Sequence, residues 1–516
     1  MRIQNSLKNI FFGLGAQMLS VSLGFGVRTV FIYTLGVEYL GIEGLFTSVL
    51  IMLSLANLGF DSAMIYSLYK PLAEKDNNKI QALMGLYKKA YRIIGLIVLL
   101  IGLTLLPFIE YLIKGETTVD HIQIIYLLFL VNAVSSYYFV YKQSIIIADQ
   151  QNHIISRIHS IFILLSNTLQ IILLITTSNY ILVLTGQILF RILENIYIGH
   201  KANQLYPFLK QKSVVTLSNK EKKSFYENLY SLMLYKISGV VINGTDNIII
   251  SVFVGLSIVG IYSNYLLILS TITTILSLIF YSITASVGNL VVQEDIDKKY
   301  FIFRVINFSN FWIYGFFTIV LWNLLNPLIS VWIGDQFVFN KYILLTIILN
   351  FFTTGMQNAS TTFRETTGLF KKGKYRPIIA AIINITVSII LAKEIGIAGV
   401  LIGTVVSRLS TYFWYDPFVI HKIVFRRKVK VYFGRYIWYS IIVLGSCILT
   451  EILCNLIRFG SLIDLFLKGL ICLVIPNIIF FLFFRKCEEF QYLMYVISKI
   501  LNTLNIKKFH EKTVNL

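Results

Sequence analysis

The sequence predicts an all-α membrane protein with about 14 transmembrane helices. They are expected as two pseudo-symmetric six-helix bundles plus two extra helices. Three observations predict this. The 516 residues are 56% hydrophobic and only 14% charged, with a mean hydropathy of +0.74, whereas a soluble chain is about a quarter charged. Fourteen stretches approach the roughly 20 mostly apolar residues that a bilayer crossing needs. Finally, Leu35-Gly36-Val37-Glu38-Tyr39-Leu40-Gly41-Ile42 is echoed by Val254-Gly255-Leu256-Ser257-Ile258-Val259-Gly260-Ile261. The offset is 219 residues, from Gly36 to Gly255 and again from Gly41 to Gly260. Each copy follows the first apolar span of its half, as expected of an internally repeated transporter.

The spans follow in order. The first, near 10–34, is too long for the core of a signal peptide, and no small-residue cleavage site follows it. Spans two to six are expected near 41–68, 86–109, 122–146, 155–176 and 180–200. Spans seven to twelve are expected near 226–252, 257–288, 303–332, 341–362, 377–392 and 396–418. The stretches 257–288 and 303–332 are long enough to tilt. Spans thirteen and fourteen are expected near 433–455 and 462–484. This divides the chain into a bundle at 1–200, a basic cytoplasmic linker at 201–225, and a second bundle at 226–418. Two added helices follow at 419–485, then a cytoplasmic tail at 486–516. The tail has an apolar face including Phe490, Leu493, Ile497 and Leu504. It reads either as a surface-lying amphipathic segment or as a short solvated helix.

Charge sets the orientation. Lys and Arg gather in alternate loops, among them Lys88, Lys89 and Arg92, Lys371 to Arg376, and Arg426 to Arg435. An even span count with both termini cytoplasmic accounts for that alternation. It also accounts for the net charge of +20 without nucleic acid as a partner. No loop is long enough for a soluble domain of about 50 residues, and no phosphate-cradling GxxxxGK[ST] loop is present. The four cysteines form no CxxC pair, and the six histidines show no metal-ligand spacing. No catalytic residue, metal or cofactor is expected.

A charge at bilayer depth costs at least about 2.5–3.5 kcal/mol and asks for a partner, water or a ligand. The candidates are Arg28 in span one, Asp61 in span two, Arg191 and Glu194 in span six, Lys236 and Asp246 in span seven, and Arg408 and Asp416 in span twelve. Two readings stand for several. Arg191 and Glu194 share a helix face at i, i+3 and can neutralise each other. Asp61 and Asp416 lie near span ends, where snorkelling or capping would serve. Taken together, Arg28, Arg191, Lys236 and Arg408 would make a basic cavity suited to a phosphate or diphosphate. Asp61, Glu194 and Asp246 are the candidate sites for a coupling proton or sodium ion. Gly244 and Thr245 would loosen span seven, and Asn243 and Asn247 could bond sugar hydroxyls or glue helices.

The chain resembles a known family through Ser6-Leu7-Lys8-Asn9, Val27-Arg28-Thr29-Val30-Phe31, the Leu35–Ile42 phrase, Leu58-Gly59-Phe60-Asp61 and Ser67-Leu68-Tyr69-Lys70-Pro71-Leu72-Ala73. Later echoes are Val331-Trp332-Ile333-Gly334 and Gly396–Thr404. In these it looks like the Wzx-type polysaccharide flippases of the multidrug/oligosaccharidyl-lipid/polysaccharide exporter superfamily. The match is dense over the first 75 residues and diffuse beyond them. The resemblance implies alternating access and a cargo of undecaprenyl-diphosphate-linked oligosaccharide, moved to the outer leaflet for capsule or cell-surface polysaccharide. It implies membrane lipids, a glycan polymerase and glycosyltransferases as partners. Fourteen spans also resemble the lipid II flippases of that superfamily. The competing expectations are a cation-coupled multidrug exporter, which would call for an acid-lined cavity, and a membrane glycan polymerase, which would call for a sizeable outer loop.

Overall fold

The structure is a computed structural model. It describes residues 2–54, 60–210, 239–241, 244–369, 372, 373, 375–457 and 461–499. Among them the chain is helical throughout, without strands. Ten helices are long and apolar enough to cross a membrane, and eleven if one bent pair counts as a single span. The protein is thus a multi-pass membrane protein.

All fourteen expected stretches are occupied by helix where they are described, but not all are single rods. Span two divides into α2 (Val37–Leu53) and α3 (Phe60–Glu74). Span four divides into α5 (Ile122–Tyr137) and α6 (Tyr141–Ala148), bent by 47°. Span ten divides into α12 (Lys341–Gly355) and α13 (Asn358–Thr366). Span twelve divides into α15 (Ile397–Ser410) and α16 (Tyr412–Ile420), the latter continued by a π-helical turn over His421–Phe425. The unbroken spans are α1 (Arg2–Leu35), α4 (Asn77–Leu105), α7 (Asn152–Thr177) and α8 (Tyr180–Leu205). They continue with α10 (Leu256–Gln293), α11 (Ile296–Ile333), α14 (Arg376–Ile395), α17 (Lys430–Asn455) and α18 (Ser461–Phe484). The seventh stretch holds α9, described over 244–253, and the tail holds α19, described over 488–499.

By their internal contacts the residues form two compact units. One is Met1–Asn264 with Ser388–Val400; the other is Tyr265–Val387 with Leu401–Leu516. In the first unit α1 lies along α7, α7 along α8, and α8 beside α5. The echoed phrases meet within this unit. Gly36 (φ +88°) turns α1 into α2, and Gly255 (φ +141°) turns α9 into α10. Such backbone angles favour glycine. The helices that follow then cross reciprocally. A Cβ placed on Gly41 would fall on the Leu256 carbonyl, and one placed on Gly260 would fall on the Val37 carbonyl. These are equivalent positions in the two copies. Small residues at this crossing let two backbones approach as close as membrane helices can.

In the second unit α11 is the central rod, packed by α12, α17 and α18. Its core is aromatic. Phe311 stacks on Tyr439 with ring centroids 4.2 Å apart, and Phe308, Phe480 and Phe484 close around them. Gly355 leaves room for the Tyr314 ring, and its carbonyl accepts from Asn310 Nδ2 at 2.7 Å. The first part of the tail docks here as well. Phe490 stacks on Trp312 with centroids 5.5 Å apart. Glu489 is buried, 2.6 Å from Arg435 and 2.9 Å from Arg304.

Candidate functional site

Charges at membrane depth are the most informative side chains here, because each needs a reason to be there. In the first unit Arg28 on α1 faces Glu43 on α2 at 3.4 Å and donates to Ser263 Oγ on α10 at 3.3 Å. The sequence marks Arg28 as a cation without pointing to an acid for it. Glu43 lies fifteen positions away on the next helix, where no local spacing rule pairs it.

Glu38 opens α2 and occupies the position that Ser257 holds in the second copy. Its Oε2 accepts from Thr117 Oγ1 at 3.0 Å and from the Thr118 amide and hydroxyl at 2.8 Å each. Its Oε1 accepts from Ser257 Oγ at 3.3 Å. Glu38 therefore ties α2 to the 117–118 turn and to the start of α10. Burial alone would raise its carboxyl, but these donors outweigh burial and hold it below the ordinary value of 4.5.

A polar pocket of about 180 Å³ lies between α5, α7 and α8, well inside those helices. Asn132, Asn167, Gln187, Arg191, Glu194 and His159 supply its hydrogen-bonding groups. Glu194 does not pair with Arg191, its neighbour on the same helix. It meets His159 on α7, with Nδ1 2.7 Å from Oε1. The Glu194 side chain is 12% exposed and that of His159 is 42% exposed. The carboxylate is thus held inside while the imidazole reaches the open part of the pocket. Arg191 makes no ion pair or hydrogen bond among the described residues. Deeper along the same helices, Gln187 Nε2 donates to Gln170 Oε1 at 2.8 Å, so a polar seam runs between α7 and α8.

In the second unit Asp416 on α16 neither snorkels nor caps. It is buried between two guanidiniums, Arg364 of α13 at 2.6 Å and Arg376 of α14 in direct contact. The three side chains are 3%, 8% and 5% exposed for Arg364, Arg376 and Asp416. Arg376 also lies 4.1 Å from the centre of the Tyr412 ring. Arg364 Nη2 donates to the Lys372 carbonyl at 2.7 Å. Sequence pattern alone puts Arg376 in a solvated basic loop and passes over Arg364. The one local hint is an arginine following the apolar run of span ten.

The remaining candidates fall as follows. Arg408 is half-buried on α15, and Asp246 is half-buried on α9. Asp61 falls on α3, with its side chain outside the described set. Lys236, Asn243 and most of the 201–225 linker lie outside the described residues. From Gly244 onward α9 is helical, and a Cβ on Gly244 would meet Met52 of α2 at 3.1 Å. Asn247 Nδ2 donates to Ser48 Oγ at 3.0 Å. Gly244 and Asn247 therefore serve helix packing. Sequence reasoning misses His159 because its partner stands 35 positions away on another helix; a histidine inside one expected span and a glutamate inside the next are the available signal.

The fold is similar to that of several solved membrane transporters. The lipid II flippase MurJ in its inward closed conformation matches with a TM-score of 0.64 and 18% identity, over 92% of this chain and 99% of that one. An inward-facing multidrug resistance MATE family transporter of the MOP superfamily matches with a TM-score of 0.58 and 16% identity, over 77% of this chain and 93% of that one. The MATE multidrug transporter DinF-BH matches with a TM-score of 0.57 and 16% identity, over 82% of this chain and 97% of that one. No family model and no curated protein sequence matches the chain.

Proposed function

We propose that this protein is a flippase that carries an undecaprenyl-diphosphate-linked oligosaccharide from the cytoplasmic to the outer leaflet by alternating access. It would serve capsule or cell-surface polysaccharide synthesis in a bacterial cell membrane, with both termini cytoplasmic. The observation that carries this reading is coverage. The lipid II flippase spans 92% of this chain, against 77% and 82% for the two multidrug transporters. The gap is 10 to 15% of 516 residues, about 52 to 77 residues. The N-terminal motifs that resemble polysaccharide flippases support the same reading.

In this proposal Arg28, Arg191, Lys236 and Arg408 contact the diphosphate and acidic sugar groups. The coupling ion is assigned to Asp61, Glu194 and Asp246, and to Glu194 first. Its partner His159 and the neighbouring Arg191 share one pocket with it, so an ion bound at Glu194 would act directly on the charge that faces an anionic cargo.

A second reading, a cation-coupled multidrug exporter, is favoured by one specific feature. Glu43 offsets Arg28, so the first unit is less basic than the sequence alone suggests. Leaflet assignment separates the two. A membrane-impermeant lectin would probe the lipid-linked glycan on cells with and without the protein. Glycan confined to the inner leaflet without it, and restored outside with it, supports the flippase. Unchanged sidedness together with altered dye or drug tolerance would replace that reading with the exporter.

A further inference from the structure

A groove of about 370 Å³ runs along α4, lined by Gly85, Lys88, Lys89, Arg92, Ile93 and Leu96. Its three cations are exposed and stand within about one turn of each other on one helix face. Lys142 of α6 adds a fourth; it lies near enough to Lys88 for the two charges to repel. None of the four makes an ion pair among the described residues. Elsewhere in the same unit Glu43 and Glu74 stand within ion-pair distance of the cations beside them, so this gathering lacks the internal acid that other cations have. Gly85 opens the head of the groove, since a Cβ there would meet nothing within 4 Å. Beyond the cations the same face turns apolar. Ile93, Leu96, Ile97, Leu100 and Ile101 are all exposed, in a stripe two side chains wide.

We propose that this groove is a docking site for a phospholipid carrying two phosphates. Three unpaired cations at one end of an apolar stripe match a headgroup with two negative charges whose acyl chains lie along the helix. The volume exceeds what one phosphate fills, and the width of the stripe suits more than one chain. Each cation near a membrane surface attracts an anionic lipid by about 1 kcal/mol, so three together are worth about a hundredfold in affinity. The site is independent of whichever cargo the protein moves.

The full-length protein, purified in detergent, is mixed with cardiolipin, phosphatidylglycerol, phosphatidylcholine or undecaprenyl diphosphate. Retained lipid is then counted by native mass spectrometry. The wild type should keep cardiolipin in clear preference to phosphatidylcholine. The triple variant Lys88→Gln, Lys89→Gln, Arg92→Gln should bind it about a hundredfold more weakly. Gly85→Leu, which narrows the groove without touching a charge, should weaken it too. A control triple at Lys422, Lys428 and Lys430 should bind as the wild type does. Equal cardiolipin retention by wild type and groove triple would overturn the proposal. So would a groove that discriminates only for undecaprenyl diphosphate, since its occupant would then be the cargo.

Discussion

Glu194 and Asp416 are two carboxylates inside helices of one membrane protein, and they are held in opposite ways. Asp416 sits between two arginines with all three side chains at most 8% exposed. Arginine keeps its proton at any working pH, so this cluster has one charge state. Glu194 faces a histidine that is 42% exposed in a polar pocket beside an unpaired arginine. Its partner is an imidazole rather than a pair of guanidiniums, and the pair is not enclosed. The difference teaches that depth alone does not mark a functional charge. The partner and how tightly the pair is enclosed distinguish the two acids.

The largest expected effect comes from breaking the locked cluster. Asp416→Asn leaves two guanidiniums without their anion, and about 3–5 kcal/mol of stability should go with it. Fluorescence-detected size-exclusion of the folded protein reads this directly. A variant that accumulates and melts like wild type would erase the contrast between the two acids. Next come the glycines of the reciprocal crossing. Gly41→Ala and Gly260→Ala should each cost about 1–3 kcal/mol, since either Cβ falls on a backbone carbonyl. The double variant should cost less than the two combined, because both strain one crossing; thermal melts of the three variants would show it.

Glu194→Gln sharpens the comparison from the other side. Its cost in stability should stay near 1 kcal/mol, about that of a partly exposed pair, while the pH dependence of transport should disappear. His159→Gln should also abolish that dependence while keeping Arg191 and Glu194 in place, whereas Glu194→Gln leaves Arg191 without a nearby anion and His159 without its partner. Proteoliposome uptake at acid and neutral pH separates these outcomes. Two variants that merely fail together at every pH would make the pair structural, like Asp416. The smallest effect belongs to Glu38→Gln. The folded carboxyl lies below its ordinary value of 4.5, so its contribution is present above that value and fades as pH falls through the folded one. Wild type and Glu38→Gln should therefore differ modestly in melting temperature at neutral pH and converge in acid.

The fold was largely legible in the sequence because a bilayer imposes its own arithmetic on helix length and apolarity. Among the described residues ten helices, or eleven with the bent pair, satisfy that arithmetic. Their breaks do not follow from it, since the 47° bend between α5 and α6 has no proline to mark it. The candidate charges were legible as residues but not as pairs. Glu43, His159, Arg364 and Arg376 complete the clusters from other helices, and separations of 15, 35, 52 and 40 positions carry no periodic signal. The echoed phrase was legible as a repeat. That its two copies would touch each other at equivalent residues was not, because similarity says nothing about contact.

That contact has a consequence for how such a chain arises and changes. Two copies of one phrase that meet through the same positions are what a homodimer interface becomes when its subunits are fused end to end. A substitution fixed in one copy alters the surface against which the other was fitted, so the copies are free to diverge only in step. Glu38 and Ser257 stand at equivalent positions and differ: one copy carries the acceptor and the other the donor of the bond between them.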